Sequence, residues 1–152
     1  MVNFLIDKPF KKKVNPDILE KAAIIAINAA KPTLDCDLSI AVRSDAELQK
    51  LNLEYLGIDA PTDVLSFESG EMDPGTDRIY LGDIIISYER AALQAKNAAH
   101  PIDNELQLLV VHGVLHLLGY DHGAVEEKEE MWHLQSEILD RLGTILNKLP
   151  ED

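Results

Sequence analysis

From Leu34 to Arg43 the chain alternates: Leu34, Cys36, Leu38, Ile40 and Val42 are interleaved with Asp35, Asp37, Ser39, Ala41 and Arg43. A period of two predicts a strand with one buried face. Before it, Ile18, Leu19, Ala22, Ala23, Ala26 and Ala29 recur at helical spacing. Asn15 as N-cap and Pro16 at the first helical position open that helix, and Lys31-Pro32 ends it near Ala30. A short strand over residues 2–6 and a polar, basic turn precede it. After the alternating strand, Ser44-Asp45-Ala46-Glu47 forms a capping box, and Leu48, Leu51 and Tyr55 continue one helical face as far as Gly57.

The second half is read in the same way. Residues 63–67 form a strand, 71–77 a turn rich in Asp, Gly and Pro, and 78–86 one or two strands. The unbroken Ile84-Ile85-Ile86 predicts burial on both faces. Ser87 caps a helix through about Ala99, broken by His100-Pro101, and Asp103 caps the next. Its segment from Glu105 to Val111 is largely apolar and unbroken by Gly or Pro, so it reads as a buried helix to about Leu118, with Gly119 as the left-handed residue that ends it. A long amphipathic helix over residues 125–149 carries Met131, Leu134, Ile138, Leu142, Ile145 and Leu149. These elements predict an α+β fold, a small mixed β-sheet of about four strands packed with about five helices, in a single domain spanning 1–152.

Composition narrows the class. Apolar residues make up 46% and charged residues 27%, an ordinary globular mix. Cys36 is the single cysteine, which excludes an internal disulfide and suits a reducing compartment. On the buried face of its strand it reads as a small core residue. No apolar run approaches the ~20 residues that span a bilayer, and the basic N-terminal stretch has no apolar h-region. A soluble, cytoplasmic protein with no membrane partner is expected.

Three of the five histidines fall between His112 and His122. Positions i and i+4 lie one above the other on a helix, so His112 and His116 point the same way. The chain then reverses at Gly119 and can bring His122 to face them. Three imidazoles and one open position make a catalytic zinc site, although other imidazole-preferring divalent ions suit the same cage. The spacing H-x-x-x-H-x-x-G-x-x-H equals that of the metzincin proteases. Their general-base glutamate, however, is here Gly113, which cannot accept a proton.

The run from Val111 to His122 resembles the signature of the YbeY family of metal-dependent endoribonucleases, H-G-x-L-H-L-x-G-Y-D-H. Pro61-Thr62-Asp63-Val64-Leu65-Ser66-Phe67 and Leu81-Gly82-Asp83-Ile84 are similar to that family in order and separation. The resemblance covers about residues 35 to 142. It implies a small mixed sheet with the metal helix central, and one Zn²⁺ per chain held by His112, His116 and His122. It also implies a single-strand-specific endoribonuclease acting in small-subunit ribosomal RNA 3′-end maturation and ribosome quality control. Its partners would be ribosomal RNA and ribosome-associated proteins, not DNA. The family usually carries an arginine in the loop before Pro61, where this chain has Leu56. No catalytic residue beyond the metal ligands is assigned.

Net charge raises a conflict. At −13 the chain makes a poor footprint for RNA, since Lys and Arg contacts to phosphate supply most non-specific affinity. Any basic cleft would have to form around Lys11–Lys13, Arg43, Arg78 or Arg90. Of the other candidates, His100 and His133 read as packing or surface residues, and Met131 as core. Asp121 is either a partner of a ligand imidazole or a plain turn residue. Asp83 either bonds backbone amides or joins the site, and Thr62 and Asp63 read as loop caps. Two rival functions remain. One is a metalloprotease-like hydrolase, and the other is a zinc-stabilised ribosome-associated binding module with little turnover.

Overall fold

The computed structural model describes residues 1–72, 74–120 and 125–143. Four strands, β1 (Val2–Ile6), β2 (Cys36–Arg43), β3 (Val64–Met72) and β4 (Ile79–Ser87), form one sheet in the order β1-β2-β4-β3. β1 and β2 are parallel, β2 and β4 are parallel, and β3 runs antiparallel to β4 along one edge. Five helices accompany them: α1 (Pro16–Ala30), α2 (Asp45–Leu56), α3 (Tyr88–Ala98), α4 (Ile102–Leu117) and α5 (Val125–Leu142). This is the expected α+β architecture, a mixed four-stranded sheet with five helices.

Local chemistry explains most of the boundaries. Asn15 accepts from the Asp17 amide at 3.0 Å at the start of α1. Ser44 accepts from the Glu47 amide at 3.3 Å at the start of α2, and Ser87 from the Arg90 amide at 3.1 Å at the start of α3. Gly57 closes α2 with φ +73°. The alternation in β2 places Leu38, Ile40 and Val42 in full burial, although the strand itself begins at Cys36 and Leu34 lies before it.

Several expectations are corrected. β3 continues to Met72, so the anticipated turn loses its first two residues to the strand. The extension is possible because the β3–β4 register shifts between Glu68 and Glu71, where Gly70 adopts φ +70°. β4 is one strand, and Ile85 is only partly buried while Ile84 and Ile86 are fully so. The expectation of burial on both faces therefore fails. Pro101, not Asp103, is the N-cap of α4, and Asp103 already lies in its first turn. The basic turn after β1 contains a 3-10 turn, Lys8–Phe10, anchored by Phe10, which is buried and stacks on Tyr88 at 4.9 Å. In α2, Tyr55 lies exposed rather than on a buried face. Gly143, at φ +69°, follows α5, and the expected continuation through Ile145 and Leu149 lies outside the described residues.

The core lies between the sheet and α4. Buried residues occur all around α4, from Glu105 to Leu117, as expected of a helix enclosed on every side. It crosses β4 at Gly113, packs on α1 and α3, and is met by α5. On the opposite face of the sheet α2 packs against β3 and β4, where Tyr55 meets Phe67 edge-on at 5.2 Å.

Candidate active site

Glu105, Leu109, His112 and His116 recur at i, i+4, i+7 and i+11 along α4 and so share one stripe. Leu109, His112 and His116 line a groove of about 310 Å³. Its other wall is the free edge of β3 and the loop before it, residues 62–68, and Leu56 at the end of α2 forms its lip. The loop is held by two amide side chains. Asn52 donates to the carbonyl of Ala60 at 3.0 Å, and Gln49 donates to Asp59 at 3.0 Å. The Asp63 carboxylate accepts from the Val64 amide at 2.8 Å, the capping role expected of it, while also lining the groove. Ser66 reaches the carbonyl of Gly113 at 3.5 Å and ties the edge strand to α4.

The two histidines converge. Their Nε2 atoms lie 3.1 Å apart, and the rings meet at 73° with centroids 4.6 Å apart. Two nitrogens on one tetrahedral zinc at ~2.05 Å stand about 3.3 Å apart, so this pair suits two ligands of one ion. The donors are of the kind that zinc takes. α4 ends just beyond them. The Gly119 amide bonds to the His116 carbonyl and the Tyr120 amide to the Leu115 carbonyl, both at 3.0 Å, with Gly119 at φ +99°. That is a Schellman end, and it turns the chain back as the glycine predicted. His122 and Asp121 lie outside the described residues. Among the described residues no three His, Cys, Asp or Glu side chains gather as a metal site; two of the three expected ligands do converge.

Gln135 is the residue that the sequence reading missed. It lies on α5, is 1% exposed, and its Oε1 stands 3.2 Å from Nδ1 of His112. The available signal was a lone amide in the buried stripe Met131, Ile138 and Leu139. Below His112 on the same face, His100 and Glu105 form a buried pair with Nε2 and Oε1 3.2 Å apart. Burial pushes the Glu105 carboxyl up, with the hydrogen bond and charge of His100 opposing and the charge of Asp63 adding to the rise. His100 is therefore a packing residue, His133 is exposed and Met131 is core, as expected.

Asp83 neither joins this site nor bonds a backbone amide. Paired in register with Phe67, it shares the sheet face under α2 and accepts a hydrogen bond from the Tyr80 hydroxyl. The three arginines considered for a basic cleft are each paired with a carboxylate, and none of them lines the groove. Arg43 bonds Asp7 at 3.4 Å, Arg90 bonds Asp45 at 2.9 Å, and Arg78 is clamped by Asp35 and Asp37. Among the described residues that line the groove, Asp63 and Glu68 are acidic and none is Lys or Arg. Cys36 is a core thiol, pushed up by burial.

Comparison with known proteins gives a consistent result. Residues 5–143 match a family model described as Endoribonuclease YbeY. A Dehalococcoides mccartyi protein named Endoribonuclease YbeY is 38% identical over 95% of this chain and 91% of its own length. A Roseiflexus protein of the same name is 40% identical over 93% and 92%, and one from Aquifex aeolicus 39% over 95% of each. The solution structure of TM1509 from Thermotoga maritima superposes with a TM-score of 0.63 at 26% identity, covering 93% of this chain and 89% of that one.

Proposed function

The chain belongs to the endoribonuclease YbeY family, and from that membership we propose that it is a zinc-dependent, single-strand-specific endoribonuclease. Its work in this reading is small-subunit ribosomal RNA 3′-end maturation and ribosome quality control, in the cytoplasm, on ribosomal RNA and beside ribosome-associated proteins. No helix among the described residues is long and apolar enough to cross a membrane. The observation that carries the reading is the convergence of His112 and His116 on the floor of a groove along a strand edge.

His112 and His116, with His122 as third ligand, would hold one Zn²⁺ per chain, which would supply Lewis acidity toward a phosphodiester oxygen. The protein's own part is placement. The edge of β3 and α4 form two walls of a groove of about 310 Å³, and unpaired RNA is the form whose bases can enter such a groove. Leu56 at the lip gives an apolar contact and no cation. Gly113 has no group to act as base, and Glu105 is buried in its pair with His100.

The experiment is cleavage of single-stranded RNA beside cleavage of casein, each with and without chelator, on the wild type and on His116→Ala. RNA cleavage that needs metal and is lost with His116, and no casein cleavage, is the expected result. About one zinc per chain should accompany it, falling sharply in the variant. Casein cleavage would favour a metalloprotease-like hydrolase. Zinc binding with no turnover on either substrate would favour a binding module. Wild-type protein without zinc would overturn the metal centre.

A further inference from the structure

We propose that Gln135 is the positioning residue that fixes the tautomer of His112, so that Nε2 presents a lone pair to the groove; this rests on the metal reading above. α5 buries Met131, Ile138 and Leu139 against the core, and Gln135 occupies the same stripe at 1% exposure. A buried amide is costly unless its polar atoms are bonded, and leucine or methionine would fill this position without that cost. The partner of its Oε1 is Nδ1 of His112, at 3.2 Å. An oxygen with no hydrogen can only accept, so with the amide in this orientation Nδ1 carries the proton. In a neutral imidazole Nε2 is then the bare nitrogen, and this is the atom that faces His116 Nε2 at 3.1 Å.

A metal-bound histidine commonly donates its second ring N–H to such an acceptor, which holds both the ring and the tautomer. Glutamine does this here from a different helix, so the second helix of the pair sets the orientation of a ligand on the first. Because the amide is neutral, it adds no charge to the site. Turned end for end it would donate to Nδ1 and place the proton on Nε2, so the direction of the amide matters as much as its presence.

The test compares wild type, Gln135→Leu and Gln135→Glu in zinc titrations against a competing chromophoric chelator. Long-range ¹H–¹⁵N spectra of the metal-free proteins report the tautomer of His112. The wild type should show the Nδ1–H tautomer. Gln135→Leu should show a mixture and bind zinc about 10–100-fold more weakly. Gln135→Glu, which keeps the acceptor, should restore affinity to the wild-type level or above. Equal zinc affinity in Gln135→Leu, or Nε2–H on His112 in the wild type, would overturn the proposal. A wild type that binds no zinc would sink the metal reading instead, and the tautomer spectra would still decide the role of Gln135. If Gln135→Leu fails to fold, Gln135→Met carries the same comparison.

Discussion

A β-carbon at Gly113 would stand 2.9 Å from Cγ2 of Ile84 and 3.1 Å from its Cγ1 and Cδ1. The residue that removes the metzincin base is thus also one at which α4 packs tightly on β4. Restoring the motif with Gly113→Glu should give no protease. It should lower stability by about 3 kcal/mol or more, by overpacking and by burying a carboxylate; urea unfolding and a casein assay check both halves. At the lip of the groove Leu56 stands where the resemblance implies an arginine, and it carries no charge. Arginines aimed at a transferring phosphoryl group contribute ~10³–10⁵ in rate. Leu56→Arg should therefore raise kcat about tenfold or more, with a smaller change in KM, the pattern of a transition-state contact. Unchanged kinetics on a single-stranded RNA would contradict it. His112 and His116 were legible in the sequence because i and i+4 on one helix are neighbours whatever the rest of the chain does. Gln135 was not, because its meeting with His112 depends on how α5 packs across α4, and no local spacing encodes that.

The same division between local and tertiary signals holds for the elements. Helices with side-chain caps, such as α1, α2 and α3, began where Asn15, Ser44 and Ser87 said they would, since a cap acts within three residues. α4 has no such cap, and Pro101 sets its start two residues before the expected Asp103. The length of β3 was hidden because it depends on its partner. Gly82 at φ +140° lets β4 accommodate a bulge against β2 and come close to β3, where a β-carbon would fall 2.0 Å from the Phe67 carbonyl oxygen. Gly82→Ala should cost about 2–5 kcal/mol from strain and displacement of β3, seen as a lower urea midpoint. A midpoint equal to the wild type would show that β3 simply moves aside. At the start of β2 and β4, the Arg78 guanidinium beside Asp37, with the Met1 ammonium behind it, holds that carboxyl well below the usual carboxylate range. A depressed folded value stabilises the protein above the unfolded pKa near 3.9 and loses that stability as pH falls below it. Thermal unfolding between pH 5 and 2 should therefore decline more steeply for wild type than for Asp37→Asn, and parallel curves would refute the linkage.

For the whole molecule the difficulty is charge. A net −13 chain has paired Arg43, Arg78 and Arg90 with carboxylates and lines its groove with Asp63 and Glu68. Few phosphates can be neutralised there. Binding of bare single-stranded RNA should be weak, with a shallow salt dependence of about −0.7 in log–log slope per phosphate contacted. A steep slope would mean that cations outside the described groove do the binding. Among the described residues β3 has one edge unpaired, and that has a further consequence. A strand with one side unpaired is a template for a second copy of itself, and proteins blunt such edges with charge and irregularity. Here the first half of β3 is occupied by the groove, while its outer half carries Glu68, Glu71 and the register shift at Gly70, all exposed. The acidity expected to weaken RNA binding should thus also guard the strand against sheet-to-sheet polymerisation. The variant Glu68→Thr with Glu71→Thr should self-associate at concentrations where the wild type does not, as read by sedimentation velocity, and it should do so before any loss of fold.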